Sequence, residues 1–288
     1  MVYHKRGQPL GLSWVDLHIH LPHNQDHGLP GSHLGVYGLD RRWWSWVEDY
    51  TCRLLTYPGD QYAAVAGIVQ LHEHISHDIP VVGLWKRHMP IHLAWDVHHD
   101  THKHTIPLPV PGTRQPSWTW MSYPHGCADV QTPRFEWSRL IKGSAAGDLG
   151  IVYKAEVLDT DVRWSGEPLT SDPSGSTIRI RGVFRCMSPL PPVRNAVRGP
   201  LHLDPGISDA TKEKDGYDTI ALVAYVHSAV LINLPPQRTT VYLVIEAAGS
   251  GNKDEYARIG RMNLTENLTV GEVDVHRPKG VMRDITLV

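Results

Sequence analysis

No run of about eighteen apolar residues, the length a helix needs to cross a bilayer, occurs in this 288-residue chain. The opening Met1-Val2-Tyr3-His4-Lys5-Arg6 is not followed by the apolar stretch of a secretory leader. The expected compartment is therefore the cytoplasm, with no membrane as partner. Cysteine is scarce: Cys52, Cys127 and Cys186 lie far apart in no paired spacing, which argues against a disulfide framework or a zinc ribbon. Without a secretory signal, Asn263-Leu264-Thr265 and Asn267-Leu268-Thr269 read as chance matches to the glycosylation acceptor pattern. Charge of one sign is also lacking: 28 lysines and arginines against 30 aspartates and glutamates leave −2, so bulk electrostatics favours no nucleic-acid partner. There is no strand-turn-helix elbow of the G-x-S-x-G kind to present a nucleophilic serine. Gly249-Ser250-Gly251 precedes a strand rather than a helix, so it reads as a hairpin turn and not a phosphate cradle.

Tryptophan and histidine are abundant, at 10 and 19 residues. Trp43, Trp46, Val47, Tyr50 and Leu54 recur at three- and four-residue steps, which predicts a helix from Trp43 to Leu55 with Asp40 as N-cap. After the turn Pro58-Gly59-Asp60, the spacing of Tyr62, Val65, Ile68, Val69 and His72 predicts a second helix, capped by Asp60. A third run, Leu84 to Trp95, contains Pro90, so it either kinks there or restarts with the proline in its first turn. Indole rings bury large areas. Trp44, Trp85, Trp95, Trp118 and Trp120 are accordingly expected to organise the core.

Downstream the period changes from about 3.6 to 2. Strands are expected over Ile151 to Leu158, Thr177 to Cys186, Thr219 to Val226, Thr239 to Glu246, Tyr256 to Met262 and Ile285 to Val288, separated by turns such as Asp172-Pro173-Ser174-Gly175 and Pro235-Pro236. Arg179, Arg181 and Arg185 alternate with apolar residues and are expected on the solvent face, an anion-binding stripe being the alternative. The expected fold is α+β: a helical layer packed on a mainly antiparallel sheet or small sandwich. Four stretches make up the expected organisation: a loosely ordered His/Gly/Pro-rich extension (1–40), a Trp-rich helical region (41–100), a connector with the Pro-Ser-Trp-Thr-Trp block (101–122), and a mainly β region (123–288). Residues 41–288 are expected to form one unit.

Histidine offers a rival reading. Asp16-Leu17-His18-Ile19-His20 matches the D-x-H-x-H pattern that opens metal-dependent amidohydrolases, in which alternate strand residues share a metal. Such enzymes need further ligands from later strand ends. His92, His98, His99, His102, His104, His125, His202 and His227 follow, but no alternating strand-helix series presents them. His98-His99-Asp100-Thr101-His102-Lys103-His104 reads as a solvated loop.

The order of blocks carries a resemblance. Trp44…Val47-Glu48-Asp49-Tyr50…Arg53-Leu54-Leu55-Thr56, Gly83-Leu84-Trp85, Leu93-Ala94-Trp95, Pro116-Ser117-Trp118-Thr119-Trp120, Ile178-Arg179-Ile180-Arg181-Gly182 and Tyr256-Ala257-Arg258-Ile259-Gly260 resemble the region that follows the HET domain in fungal heterokaryon-incompatibility proteins. Gln115, Thr119, Met121 and Cys52 depart from that pattern, and the motifs of the HET domain itself match no positions upstream of Trp43. The resemblance implies a non-catalytic accessory or regulatory module in non-self recognition and regulated cell death, with protein partners and no cofactor. A metal-dependent hydrolase using Asp16, His18 and His20 is the alternative.

Overall fold

A computed structural model of the protein describes residues 2–3, 33–57, 60–98, 115–122, 129–131, 152–187, 196–204, 211, 214–227, 237–267 and 280–288. The first tryptophans lie on helix α1, His33–Thr51, which buries Trp43, Trp44, Val47 and Tyr50 and turns Ser45 and Asp49 to solvent. That apolar stripe is what the three- and four-residue spacing requires. The ends differ from expectation. Asp40 is not an N-cap, because the helix has already begun at His33, within the stretch expected to be loosely ordered, and Asp40 is buried inside it. At the other end the Thr51 hydroxyl donates back to the Val47 carbonyl at 2.9 Å, a bond that favours helix termination. Leu54–Leu55 (β2) then leaves the helix and pairs antiparallel with Val2–Tyr3 (β1).

Helix α2, Gln61–Ser76, buries Tyr62, Val65, Ala66, Val69 and His72. Asp60 occupies its N-cap position but makes no side-chain cap bond; at φ −83°, ψ 4° it lies outside the extended region a capping residue adopts. The helix ends where His77 enters the left-handed region and donates its N–H to the Glu73 carbonyl at 2.8 Å. The third run is not one helix. Pro80–Val81 (β3) and Leu84–Trp85 (β4) form a hairpin, a single 3-10 turn spans Lys86–His88, and the short helix α3, Met89–His92, restarts with Pro90 in its first turn. Val82 and Gly83 both have positive φ, 45° and 78°, the mirror-image turn that two-residue hairpins require. A Cβ on Gly83 would also lie 2.9 Å from Met121 Sδ and Trp120 Nε1, so this glycine is needed for conformation and for space.

The β region begins with two short strands, Asp96–His98 (β5) and Asp129–Gln131 (β6), which pair with each other. It continues with Val152–Tyr153 (β7), Ala155–Asp161 (β8), Thr177–Met187 (β9), Ala196–Leu203 (β10), Tyr217–His227 (β11), Gln237–Ala247 (β12), Glu255–Asn267 (β13) and Val281–Leu287 (β14). Among the described residues β7 to β14 form one sheet, mainly antiparallel, not the two sheets of a sandwich. Because β9 bonds both β14 and β11, the path β11-β12-β13-β14-β9 closes on itself, with β13–β14 its parallel step. Where β9 and β11 part, β7 and β8 enter the gap: Ala155 pairs with Gly182, Tyr153 pairs with Val223, and the Lys154 N–H donates to the Leu222 carbonyl at 2.8 Å.

Strand β10 has no counterpart among the expected segments. Its Gly199-Pro200 reads as a turn, and the sheet accommodates it as a register shift between Arg198 and Leu201. Both faces of the sheet are covered. Ile178, Ile180, Ile220, Val241, Leu243, Ile245, Ile285 and Leu287 join the tryptophans of the helical layer in one core, while Tyr217, Tyr242, Val244, Ile259 and Met262 form a second, against which Leu201 and Leu203 of β10 pack. A Cβ on Gly260 would lie 2.2 Å from the His202 carbonyl. Gly260→Ala is therefore expected to push β10 off β13 and to cost about 1–3 kcal/mol, as overpacking does. A lowered urea midpoint is the expected result; an unchanged one would mean that β10 does not hold this position in solution.

Candidate functional site

The blocks that stand apart in sequence meet at the junction of the helical layer and the sheet. Arg258 on β13 places its guanidinium over the Trp95 ring, Cζ 3.2 Å from the centroid, and donates to the Trp95 carbonyl at 2.7 Å. Its countercharge is Asp204 just beyond β10, at 3.1 Å, and both side chains are almost wholly withdrawn from water, at 0% and 2% exposure. An arginine taken out of water is tolerated when its charge is matched, and here the matching carboxylate and the Trp95 carbonyl both lie at Nη2. Ser117 ties the same point to the chain end: its Oγ accepts the Arg258 N–H at 2.9 Å and donates to the Val288 carbonyl at 2.5 Å. The Trp95 indole donates to the Trp118 carbonyl at 2.9 Å. Beside this, Asp96 Oδ2 receives Arg261 at 2.8 Å and lies 3.2 Å from His202 Nδ1. Because the Arg258 guanidinium is enclosed, the node joins layers; it does not present a charge to a substrate.

The remaining tryptophans extend the node. Trp120 donates to the Gly83 carbonyl at 2.7 Å, and the Thr119 hydroxyl donates to the Val82 carbonyl at 2.6 Å, so the Pro-Ser-Trp-Thr-Trp block latches onto the β3–β4 turn. Trp43 meets Trp85 edge-on at 5.2 Å, and His72 stacks on Trp85 at 4.3 Å. Trp44, Trp85, Trp95, Trp118 and Trp120 are all at most 1% exposed. The Nε1 atoms of Trp44, Trp85 and Trp118 find no hydrogen-bond partner among the described residues, so those rings act through area and shape. At 150–250 Å² each, such a ring contributes on the order of 4–6 kcal/mol of gross transfer free energy.

A second polar cluster lies between α1 and the segment leading into α3. The buried Asp40 carboxylate on α1 faces two imidazoles four residues apart: His92 Nε2 lies 3.5 Å from Asp40 Oδ1, and His88 Nε2 lies 4.0 Å from Asp40 Oδ2. His92 is fully buried, packed 5.2 Å from the Trp44 ring. His88, on the 3-10 turn, reaches toward solvent and hydrogen-bonds the half-exposed Tyr153 hydroxyl of β7 through Nδ1 at 2.6 Å. Burial lowers the His88 pKa below its ordinary value, outweighing the opposing pull of Asp40. Sequence reasoning passed over His88 and gave Asp40 a capping role; the available signal was the His88-x-x-x-His92 spacing, which puts both rings on one side of a helical turn.

Other flagged residues have ordinary places. Arg179 is exposed, Arg181 makes a two-pronged bond to Asp284 at 2.7 and 2.9 Å, and Arg185 lies 4.5 Å over the Tyr242 ring. Cys52 is half-buried and Cys186 is exposed. Gly249-Ser250-Gly251 forms the turn between β12 and β13, with both glycines at positive φ. Asp60 is exposed at the start of α2. Asp16, His18 and His20, as well as Cys127 and residues 99–104, lie outside the described residues. No described helix is long and apolar enough to cross a membrane. Among the described residues no group of three or more His, Cys, Asp or Glu side chains could hold a metal ion. Comparison with family models, with curated proteins and with solved structures finds no match to this chain.

Proposed function

We propose that this chain is a non-catalytic accessory module of the heterokaryon-incompatibility type, acting in the cytoplasm through protein partners and without a cofactor. The supporting observation is the convergence of Leu93-Ala94-Trp95, Pro116-Ser117-Trp118-Thr119-Trp120, Gly83-Leu84-Trp85 and Tyr256-Ala257-Arg258 in one hydrogen-bonded buried node. Chance matches scattered along a chain have no reason to meet, whereas blocks that hold two layers together must occur as a set. An enclosed node of this kind makes a rigid platform rather than a reaction centre.

The test is expression in a filamentous fungus of this chain alone, of a HET domain alone, and of the HET domain followed by this chain. The chain alone is expected to leave viability unchanged. In the fusion, cell death is expected to come under control of a second protein, and Arg258→Ala in the module should abolish that control. Identical behaviour of the HET domain with and without the module would overturn the reading.

A further inference from the structure

Strand β14 pairs with β9 along its whole length, from Val281 opposite Phe184 to Leu287 opposite Ile178, but meets β13 only at Thr286 and Leu287. On that second side the Thr286 N–H donates to the Asp254 carbonyl at 2.8 Å. Successive residues of a strand aim their backbone groups to opposite sides. The N–H and C=O of Met282 and Asp284 therefore point the same way as those of Thr286, where no strand lies beside them among the described residues. Val281 and Met282 are 63% and 59% exposed, more than any other large apolar side chain described in the sheet. We propose that the outer edge of β14 at residues 281–284 is a docking site for an extended, acidic segment of a partner protein, which joins the sheet as an added strand.

A sheet edge is ordinarily blunted by charged side chains, a proline or a bulge. β8 and β10, each paired on one side only among the described residues, carry such register shifts, after Val157 and between Arg198 and Leu201. β14 has neither a shift nor a proline. Its two charges are drawn back over β9: Arg181 grips the Asp284 carboxylate at 2.7 and 2.9 Å, and the Arg283 guanidinium lies 4.6 Å over the Phe184 ring. The outer side is thus left unguarded. Met282 lies opposite Val183 and Val281 opposite Phe184, both partly buried against the cores, so an added strand finds an apolar neighbour on each face. Charge selects the partner. Arg181 and Asp284 neutralise each other, whereas Arg283 forms no ion pair among the described residues, so a carboxylate on the added strand completes it and a lysine is repelled. A second copy of this chain is the poorer occupant. Antiparallel self-pairing centred on Arg283 sets the two arginines opposite each other, and centring on Met282 leaves them diagonal neighbours. The edge lies at the other end of β14 from the Ser117–Val288 bond of the node, so it stands or falls apart from the reading above.

The experiment uses the full chain and two short synthetic peptides, one alternating valine with glutamate and the other valine with lysine. Binding is titrated, and amide hydrogen exchange is read at Met282 and Asp284. Both amides are expected to exchange fast in the free monomer and to be slowed by the glutamate peptide. That peptide should bind about fivefold more tightly than the lysine peptide, as one surface ion pair allows. Met282→Pro removes an outward N–H without touching the bonds to β9, and is expected to abolish binding of the glutamate peptide. Arg283→Glu keeps the edge and should reverse the preference between the peptides. Amides left unchanged by the glutamate peptide would overturn the site, as would binding that survives Met282→Pro. Amides already protected in the free monomer would overturn it by showing the edge covered from within the chain, for example by residues 268–279. Protection that rises with protein concentration would overturn it in favour of a second copy.

Discussion

Arg258→Ala is expected to lower the unfolding free energy by about 3–5 kcal/mol, because it removes the positive charge that faces the buried Asp204 carboxylate at 3.1 Å. The same change removes the bond to the Trp95 carbonyl and the guanidinium stacked on the Trp95 ring. Asp204→Ala should be similarly costly for the mirror-image reason. The double replacement Arg258→Met with Asp204→Leu should cost much less than the sum of the singles, since an apolar pair leaves no buried charge. Arg258→Lys is expected to fail as a rescue: an ammonium cannot bond Asp204 and the Trp95 carbonyl from one rigid plane while lying flat on the indole. Urea denaturation of wild type, Arg258→Met, Asp204→Leu and the double replacement measures the coupling. Additive effects would mean that the pair does not form in solution and that the layers are held by other contacts.

Trp118→Ala is expected to cost about 3–5 kcal/mol, the usual loss when a large aromatic side chain is cut from a core. Its companion changes separate area from hydrogen bonding. Trp118 Nε1 finds no hydrogen-bond partner among the described residues, so Trp118→Phe sacrifices only part of the packing. Trp120 Nε1 donates to the Gly83 carbonyl, so Trp120→Phe adds about 1–3 kcal/mol for an acceptor abandoned in the interior. The order Trp118→Ala, then Trp120→Phe, then Trp118→Phe in decreasing cost is the expected outcome of denaturant titration. A midpoint unmoved by Trp118→Ala would instead mark that ring as a recognition surface.

How far the chain can be read without its fold is clearest at three places. The alternation in Ile178-Arg179-Ile180-Arg181 required a strand with one wet face, and β9 has Ile178 and Ile180 in the core with Arg179 and Arg181 outside. The spacing of Tyr62, Val65, Ile68, Val69 and His72 likewise required one face of α2 to be buried, and all but the partly buried Ile68 are. In both, the periodicity of the backbone acts directly on nearby side chains. β10 was not legible, because Gly199-Pro200 is a turn signal by local chemistry. It is held in the sheet only by its distant partner β13. The role of Asp40 was misread for a related reason: an aspartate before an apolar run is the pattern of an N-cap, and only the position of His88 and His92 makes it the centre of a buried cluster.

The sequence by itself determined the α+β class, the buried faces of the two longer helices and most strands of the sheet, since each follows from local periodicity, turn chemistry and the need to bury one side. The tertiary structure alone decided that the sheet closes through β9 and β11, that Arg258 clamps Trp95 across 163 positions, and that Asp40 meets two histidines. Those contacts join residues whose separation along the chain has no fixed period, so nothing in local spacing specifies them. They arise when the helical layer and the sheet bury their apolar faces together and the few polar groups caught at the junction must find partners there.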